Sequence, residues 1–289
     1  MHFVDAKAIL SAQNGMNVYR GCTHGCIYCD SRSRCYGFTH AFEDIEVKQN
    51  APELLEQALL RKRNKCMIGT GSMCDPYMPC EKELRITRRC LEIIDRLGFG
   101  AAVQTKSDLA LRDLDLFESI QRRAKCVVQL TLTTADDRLC RLIEPNVCPT
   151  SRRAEVLYTL RDHGIPTAAW LSPFLPFIND TEENLRALLD ICVQAQVKGI
   201  VCFGIGLTLR EGDREYFYQA LDRHFPGLRQ RYCEKYGNAY EVASDNHARL
   251  MDILRETCEK HGILYKPDEV FAYLRAFPAP DTGEQLSFL

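Results

Sequence analysis

From Asn50 to about Phe203 the apolar positions switch repeatedly between a helical and a strand period. Ala51-Pro52-Glu53 opens a helix with proline near its start and an acid in its first turn, continued by Leu54, Leu55, Ala58 and Leu59. Cys66–Gly69 then reads as a short strand. Leu84, Leu91, Ile94 and Leu97 share one face of a second helix that stops at Gly98, and Ala101–Gln104 is the next strand. A helix near Leu109–Arg123 leads to Val127–Leu132, a strand rich in β-branched residues. Val156, Leu157 and Leu160 mark a helix ending at Gly164, and Pro166–Leu171 is extended. Leu185, Leu188, Leu189 and Cys192 repeat the helical spacing before the strand Ile200–Phe203. With an initial strand near Met16–Tyr19, about six βα units follow in series, an α/β pattern whose parallel strands close into a full or partial barrel. Chemistry in such folds sits on loops leaving the C-terminal ends of strands. Beyond Gly206 the alternation stops, and Asp213–His224, Ser244–His261 and Pro267–Phe277 read as helices. The predicted organisation is a barrel over 1–210, a helical C-terminal extension over 211–277 and a flexible tail over 278–289.

Composition narrows the class. Hydrophobic residues make up 46% of the 289 positions and the formal net charge is −2, which excludes a wholly disordered chain and a strongly basic nucleic-acid binder. No apolar run is long enough to span a bilayer, and the N-terminus has no secretory pattern, so a cytoplasmic protein without membrane association is expected. The outlying number is 15 cysteines. In a reducing compartment they point to metal binding or chemistry rather than disulfides. Cys66, Cys126, Cys192, Cys202 and Cys258 sit singly in apolar stretches and read as core thiols.

The informative segment is Tyr19-Arg20-Gly21-Cys22-Thr23-His24-Gly25-Cys26-Ile27-Tyr28-Cys29. Cys22, Cys26 and Cys29 have the spacing C-x3-C-x2-C, in a loop after the first strand. A closed zinc site wants four ligands, usually as two pairs, and there is no second C-x2-C; His24 or Cys35 as a fourth ligand gives no familiar spacing. Three thiolates on one tight loop suit a [4Fe-4S] cluster with one iron left open, which signals catalysis rather than electron transfer alone.

This C-x3-C-x-aromatic-C loop resembles the signature of the radical SAM superfamily. The resemblance implies a partial (β/α)6 TIM-like barrel in which Cys22, Cys26 and Cys29 hold the cluster. It further implies that the open iron chelates S-adenosylmethionine, and that its reductive cleavage yields a 5′-deoxyadenosyl radical that abstracts hydrogen from a substrate. An external reductant such as flavodoxin or ferredoxin would supply the electron. Further segments occur in order: Asn17–Cys22, Asp75-Pro76-Tyr77-Met78-Pro79-Cys80-Glu81, Thr105-Lys106-Ser107, Leu130–Thr134, Ile143-Glu144-Pro145 and Pro173–Asn179. Over roughly 15–210 they resemble the spore photoproduct lyase-like branch, often labelled DNA repair photolyase-like. By that resemblance Lys106 is a ligand of S-adenosylmethionine, and Thr131 or Thr133 contacts its ribose or carboxylate. Tyr28, Ser72, Asp75 and Arg153 complete the expected cofactor contacts, with Cys74 and Tyr77 as candidate catalytic residues.

One departure bears on the reaction. The lyase has its hydrogen-donating cysteine two residues before a serine, whereas Ser72-Met73-Cys74-Asp75 exchanges the two residue types. Cys74 is therefore either a donor in a shifted position or a plain thiol beside the pocket. The substrate is read as a nucleic-acid base, with a peptide or small metabolite as the alternative in the same class and a non-catalytic iron–sulfur or zinc protein as the alternative outside it. The terminal Glu284-Gln285-Leu286-Ser287-Phe288-Leu289 resembles the peptide by which bacterial repair proteins dock on the sliding clamp, with its last two side chains reversed.

Overall fold

The computed structural model describes residues 1–278. In chain order its elements are β1 (His2–Val4), β2 (Gly15–Met16), β3 (Tyr19–Arg20), β4 (Glu46–Lys48), α1 (Ala51–Leu60), β5 (Met67–Thr70), α2 (Glu81–Leu84), α3 (Ile86–Arg96), β6 (Gly100–Thr105), α4 (Leu114–Arg123) and β7 (Cys126–Thr131). They continue with α5 (Asp137–Ile143), α6 (Thr150–Asp162), β8 (Thr167–Trp170), α7 (Glu182–Gln194), β9 (Gly199–Val201), β10 (Gly206–Thr208), α8 (Asp213–His224), α9 (Leu228–Tyr236), β11 (Glu241–Ala243), α10 (His247–His261) and α11 (Pro267–Arg275). Six strands form one parallel sheet in the order β2-β5-β6-β7-β8-β9, the α/β partial barrel expected from the alternation.

Strand alternation sorts the concave face by height. Met67, Ala102, Val127, Ala168 and Val201, one from each of five neighbouring strands, pack against Val270 and Leu274 of α11. That helix therefore stoppers the apolar end of the barrel. Further along the same pleat the inward positions turn polar: Gln104 and Lys106, Gln129 and Thr131, Trp170 and Ser172. A cleft is left above the stopper, at the C-terminal ends of the strands.

Three local readings needed correction. The single strand expected at Met16–Tyr19 is two: β2 joins the barrel, while β3 turns away to pair antiparallel with β4, itself parallel to β1. The helix expected from Leu84 onward is broken by Arg85, whose φ is 50°. The break lets Glu81 turn its carboxylate to the Thr87 and Arg88 N–H groups (3.2 and 3.3 Å), capping α3 with an anion at its N-terminus. The C-terminal part is not purely helical, since β10 and β11 pair antiparallel. No helix among the described residues is long and apolar enough to cross a membrane. The predicted tail beyond Pro278, with its clamp-like peptide, lies outside the described residues.

Candidate functional site

The cysteine loop follows β3 and is strapped to the segment after α5. Ile27 N–H donates to the Ile143 carbonyl (3.0 Å), while Asn146 donates through its backbone to His24 O (3.1 Å) and through its side chain to Thr23 O (2.8 Å). Gly25 has φ +71°, and a Cβ there would lie 3.1 Å from Pro145 Cγ, so the approach of the two segments uses a glycine. At the loop's start Cys22 N–H bonds Phe42 O (3.1 Å).

Below the loop lies a buried charge cluster. Glu144 accepts from the Tyr28 hydroxyl and from Arg153, and both Glu144 and Arg153 are fully buried. Burial would raise the Glu144 pKa, but Arg153 and Lys106 hold it below the usual glutamate range. Burial would lower that of Lys106, but Cys26, Glu144 and Cys29 keep it raised. Lys106 Nζ stands 5.8 Å from the Tyr28 ring centroid.

The three thiols open into one chamber of about 130 Å³, which they share with His24, Ser72, Cys74, Asp75, Gln104, Lys106 and Thr131. All three are free thiols. Burial pushes Cys26 up to about 12, against the pull of Lys106. Among the described residues, the only three His, Cys, Asp or Glu side chains whose ligand atoms all lie within 4.8 Å of one another are elsewhere, at His2, His40 and Glu46. The loop's thiols are thus spaced more widely than one zinc ion with sulfurs at about 2.3 Å would gather them. Three free cysteine thiols lining one chamber are the donor set of an iron–sulfur cluster. His24 Nδ1 is also buried in the chamber without a partner.

Asp75 organises the opposite wall. Oδ1 accepts from Tyr77 N–H (2.8 Å) and Thr105 Oγ1 (2.7 Å), and Oδ2 accepts from Lys106 N–H (2.7 Å) and lies 3.0 Å from His24 Nε2. Burial alone would raise its pKa; His24, Thr105 and the Lys106 N–H instead hold it down at about 2. A depressed carboxyl pKa gives stability that is present above the ordinary aspartate value, about 4, and is lost as pH falls towards 2. Asp75→Asn removes an acceptor facing these donors. We expect it to lower the melting temperature at neutral pH, with the difference from the parent shrinking between about pH 4 and 2 in cluster-free protein. A gap that stays constant over that range would contradict this role.

A second cavity of about 520 Å³ adjoins the chamber, sharing Cys29, Gln104, Lys106 and Thr131 with it. Trp170, Ser172, Phe203, Glu241 and His247 line its far side. Its size suits a cofactor with a substrate beside it. Trp170 and Phe203 meet edge to face with centroids 5.9 Å apart, and Phe203 is 64% exposed.

The structure thus brings Cys22, Cys26, Cys29, Tyr28, Ser72, Cys74, Asp75, Lys106 and Thr131 to the two cavities. Cys74 Sγ donates to Tyr19 O (2.9 Å) while lining the chamber. Three expected residues lie elsewhere. Tyr77 is buried with its hydroxyl on Asp113 (3.0 Å), which also accepts from Arg88 and Arg112. Thr133 lies beyond the end of β7, where the strand alternation lapses; its carbonyl accepts from Asn179 and Asn184, and neither cavity reaches it. Arg153, expected at the cofactor, is spent inside the protein on Cys148 O (2.9 Å), Thr131 O (2.7 Å), Cys140 and Glu144. Sequence reading missed Gln104, Trp170, Phe203, Glu241 and His247. The first could have been found from Lys106, two positions along the same strand face.

The Radical SAM superfamily model matches residues 16–192. An uncharacterized protein of Methanocaldococcus jannaschii is 29% identical over 268 residues, covering 91% of this chain and 92% of its own. A protein of Pseudomonas phage M6, named radical SAM Nalpha-GlyT isomerase, is 25% identical over 169 residues, covering 58% of this chain and 34% of that one. Among solved structures, a spore photoproduct lyase mutant with bound AdoMet and dinucleoside spore photoproduct superposes with TM-score 0.60 at 13% identity, over 86% of this chain and 74% of the lyase. At that identity the likeness concerns the fold.

Proposed function

This chain belongs to the radical SAM superfamily, and on that premise we propose that it works from a cluster held by Cys22, Cys26 and Cys29 to abstract hydrogen from a nucleic-acid base in the adjoining cleft. A [4Fe-4S] cluster and S-adenosylmethionine are the cofactors of enzymes of this family, this one included. When bound, the pair supplies reductive cleavage of the sulfonium to a hydrogen-abstracting radical.

The carrying observation is that the cysteine chamber and the large cleft share a wall. The three thiolates hold the cluster while the 143–146 strap and Gly25 fix the loop. Lys106, at that wall, offers an ammonium to the cofactor's carboxylate, and Thr131 and Ser72 offer hydroxyls nearby. Asp75 orients Lys106 through its backbone. Arg153 and Glu144 are positioning residues beneath Tyr28. Trp170 and Phe203 offer aromatic faces on which a base can stack. The base reading also draws on the lyase, whose structure holds a dinucleoside in the same kind of fold. Repair or modification of that base would follow from where Cys74, a candidate hydrogen donor, meets the product. The electron comes from an external reductant of the flavodoxin or ferredoxin kind.

Anaerobic reconstitution should yield about four irons and four sulfides per chain, and dithionite with S-adenosylmethionine should release 5′-deoxyadenosine. With oligonucleotides deuterated on the bases, intact or ultraviolet-damaged, label should appear in 5′-deoxyadenosine. Label arriving only from a peptide or metabolite pool would sink the base reading and leave the radical chemistry standing.

A further inference from the structure

Outside the cysteine chamber, β1 and β4 carry a second cluster of metal-ligating side chains. The two strands pair in parallel with His2 opposite Glu46, and His40 joins them from the turn that precedes β4. One ring nitrogen of each histidine and one oxygen of Glu46 all lie within 4.8 Å of one another. All three residues are half-buried.

Hydrogen bonding sets the direction of the lone pairs. His40 Nδ1 lies 2.9 Å from the Ala41 carbonyl oxygen, and Nε2 lies 2.8 Å from Glu46 Oε1. A carbonyl only accepts, so Nδ1 carries a proton; Nε2 then faces a carboxylate, an arrangement that requires a cation between or upon them. That cation is either a second proton or a metal ion. His2 is held similarly, with Nδ1 3.1 Å from Asp44 Oδ2, and the two rings meet edge to face at 5.0 Å. Histidines that bind metal typically have their other nitrogen on a carboxylate or a backbone carbonyl, which are the partners Asp44 and Ala41 provide. Arg20 Nη1 also sits 3.0 Å from Glu46 Oε1, so an incoming ion must share the carboxylate with a guanidinium. This disfavours Mg²⁺ and Ca²⁺, which depend on oxygen donors, and leaves ions that imidazole suits.

We propose that His2, His40 and Glu46 form a binding site for a divalent transition-metal ion of the zinc, copper or nickel kind, separate from the cysteine loop. Three protein ligands, two imidazoles and a carboxylate, leave a coordination position for water, a donor set that zinc adopts in proteins. The ion would fasten β1 to the 40–46 segment. Phe42, in that segment, receives the Cys22 N–H at the start of the cysteine loop, so the site bears on how firmly the loop is anchored.

The test uses tag-free, cluster-loaded protein incubated with Zn²⁺, desalted, and examined by metal analysis and zinc K-edge X-ray absorption. About one zinc per chain is expected, with nitrogen and oxygen scatterers at about 2.0–2.1 Å and none at the sulfur distance of about 2.3 Å. His40→Gln and, independently, His2→Gln on the edge strand should each remove the zinc while iron content stays unchanged. Parent protein that retains no zinc, zinc with sulfur neighbours, or zinc undiminished in folded His40→Gln would each overturn the site. Because the readout is zinc ligation, it stands apart from the test of the radical chemistry.

Discussion

Cys26→Ala is expected to bring iron in reconstituted protein from about four per chain to near background, and to abolish 5′-deoxyadenosine formation with it. In the proposed site each thiolate would hold one corner of the cluster, so removing one would leave two corners for solvent. No spare thiolate in the chamber replaces it: Cys74 donates to Tyr19 O, and His24, whose Nε2 lies on Asp75 and whose Nδ1 is unpartnered, offers an imidazole and not a sulfur. Cys35, the other cysteine near the loop, is exposed with its sulfur on Arg210 (3.4 Å), and is not among the residues lining the chamber. Cys35→Ser should therefore retain full iron, which makes it the control for general thiol loss. Cys74→Ala should also retain iron. If Cys74 is the hydrogen donor proposed above, its loss should change the products and leave cofactor cleavage unchanged. Full iron and full cleavage in Cys26→Ala would remove the basis for the whole site.

The barrel was legible because its strands and helices have different periods, and the cysteine loop because three cysteines lie within eight residues. Lys106 and Thr131 were legible as residues at strand ends, where barrel chemistry collects. What escaped depended on contacts between distant segments. Strands β3, β4, β10 and β11 are two or three residues long, too short to show a period. His247 and Glu241 reach the cleft only because β11 pairs with β10, a pairing no local pattern announces. Arg153 illustrates the opposite error. An arginine beside the active-face loop looked like a cofactor contact, but the sequence did not reveal that Glu144, nine positions before it, would draw it inward. The same pairing explains the Ile143-Glu144-Pro145 segment: it supports the cysteine loop from beneath rather than touching the reaction.

That support can be measured. Glu144→Gln keeps the shape of the side chain but leaves the Arg153 guanidinium buried among neutral acceptors, the carbonyls of Thr131 and Cys148. Breaking a buried ion pair on one side costs about 3–5 kcal/mol. For a chain of this size that is a fall in melting temperature on the order of 10 °C. Arg153→Met should cost a comparable amount, since it strands the Glu144 carboxylate beside Tyr28. The double variant should cost less than the sum, because neither charge is then left without its partner. Acid should act in the same direction as the single variants: Glu144 has a lowered pKa, so its contribution is whole at neutral pH and declines as pH drops below the ordinary glutamate value of about 4.3. Strict additivity in the double variant would mean that the two side chains act independently.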